Sequence, residues 1–273
     1  MYVKKTISTA FGGYPSITEE VCGVIRESGV REGFCVVSLD GASTGLGITS
    51  FWDKRGLDDL MDEIDRNLPV RVNYGCQTTP FDASGNGKGA VVGRSAMLLI
   101  HDGRPVFGSS QGLVLLEFDG PRERTYHILV KAAKVDLSSH RIRTEYMGMH
   151  DITGEVRQAV ADSRVVDGIC HISQLHSTSG LLLCGAGGTE REDIMEDLER
   201  MVPTRADFKH RETASDAGGH VKTAITDSQL SLAVENGQLV IGENQAVVFA
   251  EYDGPRPRTF YVGIIHGETD REG

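Results

Sequence analysis

His176, His210 and His220 are the side chains of this 273-residue sequence best suited to chemistry near neutral pH. Neutral imidazole is the commonest metal ligand and a natural acid/base. Their separations of 34 and 10 residues make no local metal motif, so only the fold can gather them. Three histidines with one open position would suit Zn²⁺ and an activated water. Ser177 and Thr178 follow His176 and offer hydroxyl and backbone donors for a phosphate or carboxylate. No nucleophile-elbow motif surrounds Ser177, which makes a nucleophilic serine the weaker reading. Arg256 and Arg258 carry guanidinium forks that match phosphate bidentately. These residues are the candidate catalytic, metal-binding and substrate-binding positions.

The histidines gain weight from an internal repeat. Gly219–Thr259 lies on Gly85–Thr125 at an offset of 134, with 16 identities in 41 positions and no gap. The pairs include Gly103/Gly237, Gly108/Gly242, Gln111/Gln245, Glu117/Glu251 and the DGPR run with its second arginine. That period is far longer than the units of a solenoid and matches a duplicated domain of ordinary size. Copy one spans 1–135 and copy two 136–273. Where copy two has His176, His210 and His220, copy one has Gly41, Cys76 and Asn86. Joint loss of all three fits one site that copy one does not share. Arg122 and Arg124 match Arg256 and Arg258, and this retention favours a structural role for the arginines. Glu117 and Glu251 are placed to pair with them, and Gln111 and Gln245 to satisfy backbone in a bend. Glu192, Asp193, Glu196 and Asp197 read as a solvated helix face. Among them Asp193, matched by Asp59, is the one expected to touch the site. His171 reads as a core or sheet-face residue.

Composition places few limits beyond a globular protein. A net charge of −11 argues against nonspecific nucleic-acid or acidic-membrane binding. The opening MYVKKTISTA lacks the apolar core of a signal peptide, and no window reaches a membrane span. Five cysteines without a CxxC read as free thiols in a reducing cytoplasm, with Cys35 and Cys170 in matching core positions.

Each copy opens with a short strand, Val3–Ser8 and Arg141–Glu145. A helix follows at Thr18–Ser28 and Thr153–Asp162, started by a capping box at Ser16–Glu19 and by Asp151. An apolar strand (Gly33–Leu39, Gly168–Leu175) leads to AST or HSTSG and a second apolar segment. A second helix, Leu57–Leu68 or Arg191–Val202, ends at Pro69 or Pro203. The stretch from Gly85 or Gly219 then reads entirely as short strands joined by tight turns, which puts His220 just before a strand. Asp102-Gly103 and Asn236-Gly237 are hairpin signals. Lys131–Arg141 reads as a polar linker and GETDREG as a loose tail. The expected class is α+β, mainly β: two sandwich or jelly-roll-like domains, each with two inserted helices.

At this level copy two resembles the YjbQ family. HSTSGL, MVP, FKH, GHVKTAI, GQLVIGENQ and DGPRPR follow in order the family pattern HTSA, LVP, YxH, AHxKAS, GxLxLGxWQ and DGPRxR. Copy one matches well only in the last two motifs. The resemblance implies a compact β-sandwich with helices, a trimeric assembly, and a metal or anion site around His176, His210 and His220. It also implies a weak thiamin phosphate synthase activity, which joins a pyrimidine pyrophosphate to a thiazole phosphate. Two positions depart from the pattern. The family's Asn/Asp-rich turn is Cys184–Gly188 here, and its Trp before the Gln is Asn244. The leading expectation is an enzyme binding a divalent metal, Zn²⁺ for example, or a phosphorylated small molecule. A non-catalytic anion or metal binder is the alternative. A homo-oligomer is expected, either a trimer, a pseudo-hexamer of three chains, or an arrangement in which the halves pair within one chain.

Overall fold

Turn chemistry and alternation set most of the strands. In the computed structural model, which describes residues 1–205 and 207–267, copy one runs β1 (Tyr2–Thr9), α1 (Thr18–Ser28), β2 (Gly33–Leu39), β3 (Thr44–Ser50), α2 (Lys54–Asn67), α3 (Asp82–Val92), β4 (Ser95–His101), β5 (Arg104–Pro105), β6 (Gln111–Glu117) and β7 (Arg122–Ala132). Copy two repeats the order with β8 (Val135–Arg143), β9 (Met149–Asp151), α4 (Thr153–Ser163), β10 (Gly168–Gln174), β11 (Ser179–Gly185), α5 (Gly188–Met201), α6 (Asp216–Thr226), β12 (Gln229–Glu235), β13 (Gln238–Leu239), β14 (Gln245–Glu251) and β15 (Pro257–His266). Beyond Gly267 the expected tail lies outside the described residues.

The sheets match as well. The large sheet is ordered β1-β7-β2-β4-β5 in copy one and β8-β15-β10-β12-β13 in copy two, antiparallel throughout. The small sheet is β3-β6 in copy one and β11-β14-β9 in copy two. Each copy has its own core between the two sheets, closed by α1 or α4; Ile152, Cys170, Leu181, Phe249 and Val262 share one, and Ile17, Cys35, Leu46, Leu113 and Ile128 the other. The expected class holds: α+β, mainly β, twice over.

Four local expectations need correction. Each copy has three helices, not two: α3 and α6 occupy the start of the repeat that reads as strand. Their glycines suggest loop, but they let the helix lie against the small sheet. A Cβ on Gly89 would meet Thr44 O at 2.4 Å. His220 therefore sits on a helix. The Lys131–Arg141 linker is sheet, since β7 ends at Ala132 and β8 begins at Val135. The capping box is absent: both helices start at an isoleucine N-cap without a side-chain cap, Ser16 Oγ receiving a long 3.4 Å bond from Thr18 N and Asp151 Oδ1 a 2.9 Å bond from Thr153 N. Finally, Asp193 is exposed; its partner by repeat, Asp59, is the buried one.

The two halves pair within the chain. Leu57, Leu60 and Ile64 of α2 pack with Val221 and Ala224 of α6 and with Val202 in a shared apolar cluster. Gly108 touches copy two so closely that a Cβ there would lie 1.9 Å from Leu175 O.

Candidate functional site

The turn between β10 and β11 carries His176, Ser177 and Thr178. Gln174 clamps it: Oε1 accepts His176 N (2.6 Å) and Ser179 Oγ (2.8 Å), and Nε2 donates to Ser179 O (2.6 Å). From copy one, Gln111 Nε2 donates to His176 O at 3.1 Å, while its Oε1 accepts Gly108 N at 2.8 Å. The backbone-satisfying role expected of Gln111 is thus present, with a second task across the interface. Gln245 repeats only the first, accepting Gly242 N at 2.8 Å.

The structure brings His176, Ser177, Thr178 and His220 to one cleft of about 230 Å³, with Glu212, Asp216, Asp253, Arg256 and Arg258 from copy two and Ser50, Trp52 and Ser110 from copy one. His210 lies behind this lining, 1% exposed, its ring stacked 5.1 Å from His220 and edge-on to Trp52 at 5.9 Å. The site is therefore built by both copies.

His210 is held almost wholly from copy one. Asp59 on α2 accepts Lys209 N (3.0 Å) and His210 N (2.8 Å), and Asp53, the N-cap of α2, binds His210 Nδ1 at 2.5 Å. The Arg55 guanidinium, followed by His210 itself, holds the Asp53 carboxyl well below the usual range against the upward push of burial. A charged Asp53 fixes the proton of His210 on Nδ1. Nε2 then points its lone pair 3.2 Å from Asp216 Oδ2, buried and without a hydrogen-bonding partner. Two lone pairs so close need a proton or a cation between them. Ligand atoms of His210, Glu212 and Asp216 all lie within 4.8 Å of one another. Asp216 is itself fixed by Glu212 N (2.7 Å), Thr213 N (3.1 Å) and Ala217 N (2.8 Å).

The other two histidines are neutral. Burial, then the charge of Arg258, pushes His176 down to about 4; burial, then His210, does the same to His220. His176 Nε2 accepts Thr259 N at 2.9 Å, so its proton is on Nδ1. A ring engaged in that way has no free lone pair for a metal. His220 Nε2 lies 3.2 Å from Ser177 Oγ. The donor atoms that converge are thus His210 with two carboxylates, rather than the three histidines.

Arg258 forks onto Glu251 (2.5 Å twice) and reaches Thr178 Oγ1 at 2.9 Å; Arg124 does the same with Glu117 (2.7 and 2.6 Å) and Ser43 Oγ at 3.0 Å. Arg256 grips Asp253 (2.7 Å) as Arg122 grips Asp119 (2.6 Å). The pairing expected of the two glutamates is present, and both arginines reach the cleft as ends of ion pairs made in either copy. His171, 1% exposed, bonds Ser231 Oγ at 2.8 Å on the sheet.

The sequence reading missed Asp53, Asp59, Trp52 and Gln174. It placed the family's Asn/Asp-rich turn in copy two, at Cys184–Gly188. The turn that faces the histidines is its repeat in copy one, Ser50–Asp53, and it does carry an acid. Likewise the position of Asn244 is represented at the cleft by Ser110.

Comparison with known proteins agrees with the repeat. A family model described as UPF0047 protein YjbQ-like matches residues 4–133 and again 138–267. A UPF0047 protein of Methanocaldococcus jannaschii is 36% identical over 116 residues, 42% of this chain and 83% of its own length. The UPF0047 protein YugU of Bacillus subtilis is 29% identical over 118 residues, 43% of this chain and 89% of its own. The crystal structure of an uncharacterised YjbQ/UPF0047 protein from Clostridium acetobutylicum has 32% identity, covers 47% of this chain and 99% of its own, and has a TM-score of 0.45. The chain belongs to the YjbQ (UPF0047) family, as a tandem of two family domains. Among the described residues no helix is long and apolar enough to cross a membrane.

Proposed function

We propose that the cleft between the copies binds one divalent cation, Zn²⁺ being the probe of choice, together with a small phosphorylated molecule on which it acts. The observation that carries this reading is the buried Nε2 of His210, 3.2 Å from Asp216 Oδ2, with Glu212 alongside. The charge of the lining agrees. Three carboxylates (Glu212, Asp216, Asp253) face two guanidiniums that are already paired, which favours a cation over a bare anion.

A cation held by His210, Glu212 and Asp216 would polarise a phosphoryl oxygen or acidify a bound water. The chain supplies the rest. His176 presents an Nδ1–H donor fixed by its bond from Thr259. Neutral His220 takes or returns a proton at Nε2, with Ser177 Oγ as the adjacent relay. Arg256, 43% exposed beyond its bond to Asp253, offers its free edge to an anionic arm. Trp52, the chain's one tryptophan, forms an aromatic wall. The reaction to assay first is the condensation of thiamin precursors that the family resemblance implies.

The test is metal content and Zn²⁺ titration of purified protein beside three variants. About one Zn²⁺ per chain is expected, lost in His210→Ala and Asp216→Asn and kept in His176→Ala. Absence of binding to the wild type, or equal loss in His176→Ala, overturns the assignment. Turnover that survives removal of the metal would leave the cleft as an acid–base site of His220 and Ser177.

A further inference from the structure

Copy two contains a second cleft, of about 370 Å³, between the β8–β9 turn and α5. Glu145–His150 and Gly188, Arg191, Glu192 and Met195 line it. Three of the chain's seven methionines, Met147, Met149 and Met195, thus meet at one opening beside a histidine. The same three side chains pack into one small cluster with Ala250 and Tyr252, so they lie together from within as well.

Comparison of the copies shows that this is not required by the fold. Copy one makes the same turn with Gly12, Tyr14 and Pro15 where copy two has Met147, Met149 and His150. Gly12 has φ +65°, natural for glycine, whereas Met147 occupies the same left-handed region at φ 53°. A side chain there costs on the order of 1 kcal/mol per residue, which glycine avoids. Copy two accepts that strain and keeps a thioether at the rim. His150 is half-buried and lines the same opening. Among the described residues, its Nε2 accepts one long 3.4 Å bond, from Glu145 N.

We propose that Met147, Met149, Met195 and His150 form a binding site for a soft monovalent cation, Cu(I) or its redox-stable analogue Ag(I). Thioethers select soft metals over Zn²⁺ and Mg²⁺, and a neutral imidazole completes such a set. The site is separate from the histidine cleft in residues and in ligand chemistry, and the two can fail independently.

The experiment is a titration of the full chain, its reactive thiols alkylated, with Ag(I), followed by NMR of methionine methyl groups. Assignment comes from single Met→Leu variants. At one equivalent of Ag(I) the methyl signals of Met147, Met149 and Met195 are expected to shift, and those of the other methionines to stay. Met149→Leu combined with His150→Ala should weaken Ag(I) binding at least tenfold with an unchanged melting temperature, while Zn²⁺ leaves the three signals in place. Unmoved methyl signals at two equivalents, or unchanged affinity in the double variant, overturn the proposal.

Discussion

Copy one and copy two share a fold, sheet order and a buried Arg–Glu pair, yet each is missing what the other supplies. Copy two holds the histidines but has Gly187 where copy one has Asp53. Copy one holds Asp53 and Asp59 but has Cys76 where copy two has His210. Since the cap of α2 in copy one reaches the histidine of copy two, the proposed site draws on both halves of the chain.

The comparison is most severely tested where the copies should behave alike. Glu117→Ala and Glu251→Ala each leave a buried arginine unpaired, and each should cost about 3–5 kcal/mol in chemical denaturation. A large effect in only one copy would mean the shared pair is not the common strut it is taken for here.

Asp53→Ala should weaken Zn²⁺ binding by about 10–100-fold, although Asp53 belongs to the copy without histidines, because it orients the ligand His210. Gly187→Asp should change nothing. Calorimetry of both variants decides whether the site is split across the interface.

Gly108→Ala drives a methyl group into the Leu175 carbonyl and should cost roughly 1–3 kcal/mol, with part of the loss seen as separation of the halves. Gly242→Ala meets only the flexible end of Gln245 at 3.1 Å and should stay within about 0.5 kcal/mol. Equal values would show that the bend, rather than the interface, demands glycine.

Acid should affect copy two first. His171, His176 and His220 are pushed by burial from 6.5 to about 4. The unfolded chain therefore binds more protons than the folded one between those values. Stability is full above pH 6.5 and falls as pH drops toward 4. Glu117 and Glu251 are both held lower than usual: burial is the largest single push and raises them, but the arginine, threonine and backbone hydrogen bonds together outweigh it, so their contributions leave both copies together at lower pH. Hydrogen exchange at pH 5 should rise in copy two before copy one.

Much of this was legible in the chain itself. The offset of 134, the hairpins at Asp102-Gly103 and Asn236-Gly237 and the prolines closing α2 and α5 all follow from local rules of backbone and side-chain geometry. So did the contrast at His210, which one copy has and the other lacks. The third helix was hidden because its glycines read as loop; in α3, Gly89 serves a close approach to Thr44 of β3, a tertiary requirement that overrides helix propensity. Which carboxylate meets His210 was decided by the docking of one copy on the other. Sequence registers a repeat as two equal halves; only packing α2 against α6 brings Asp53 rather than its match Gly187, and Asp59 rather than its match Asp193, to His210. Those contacts span about 150 residues of chain, and no local pattern encodes a partner at that distance.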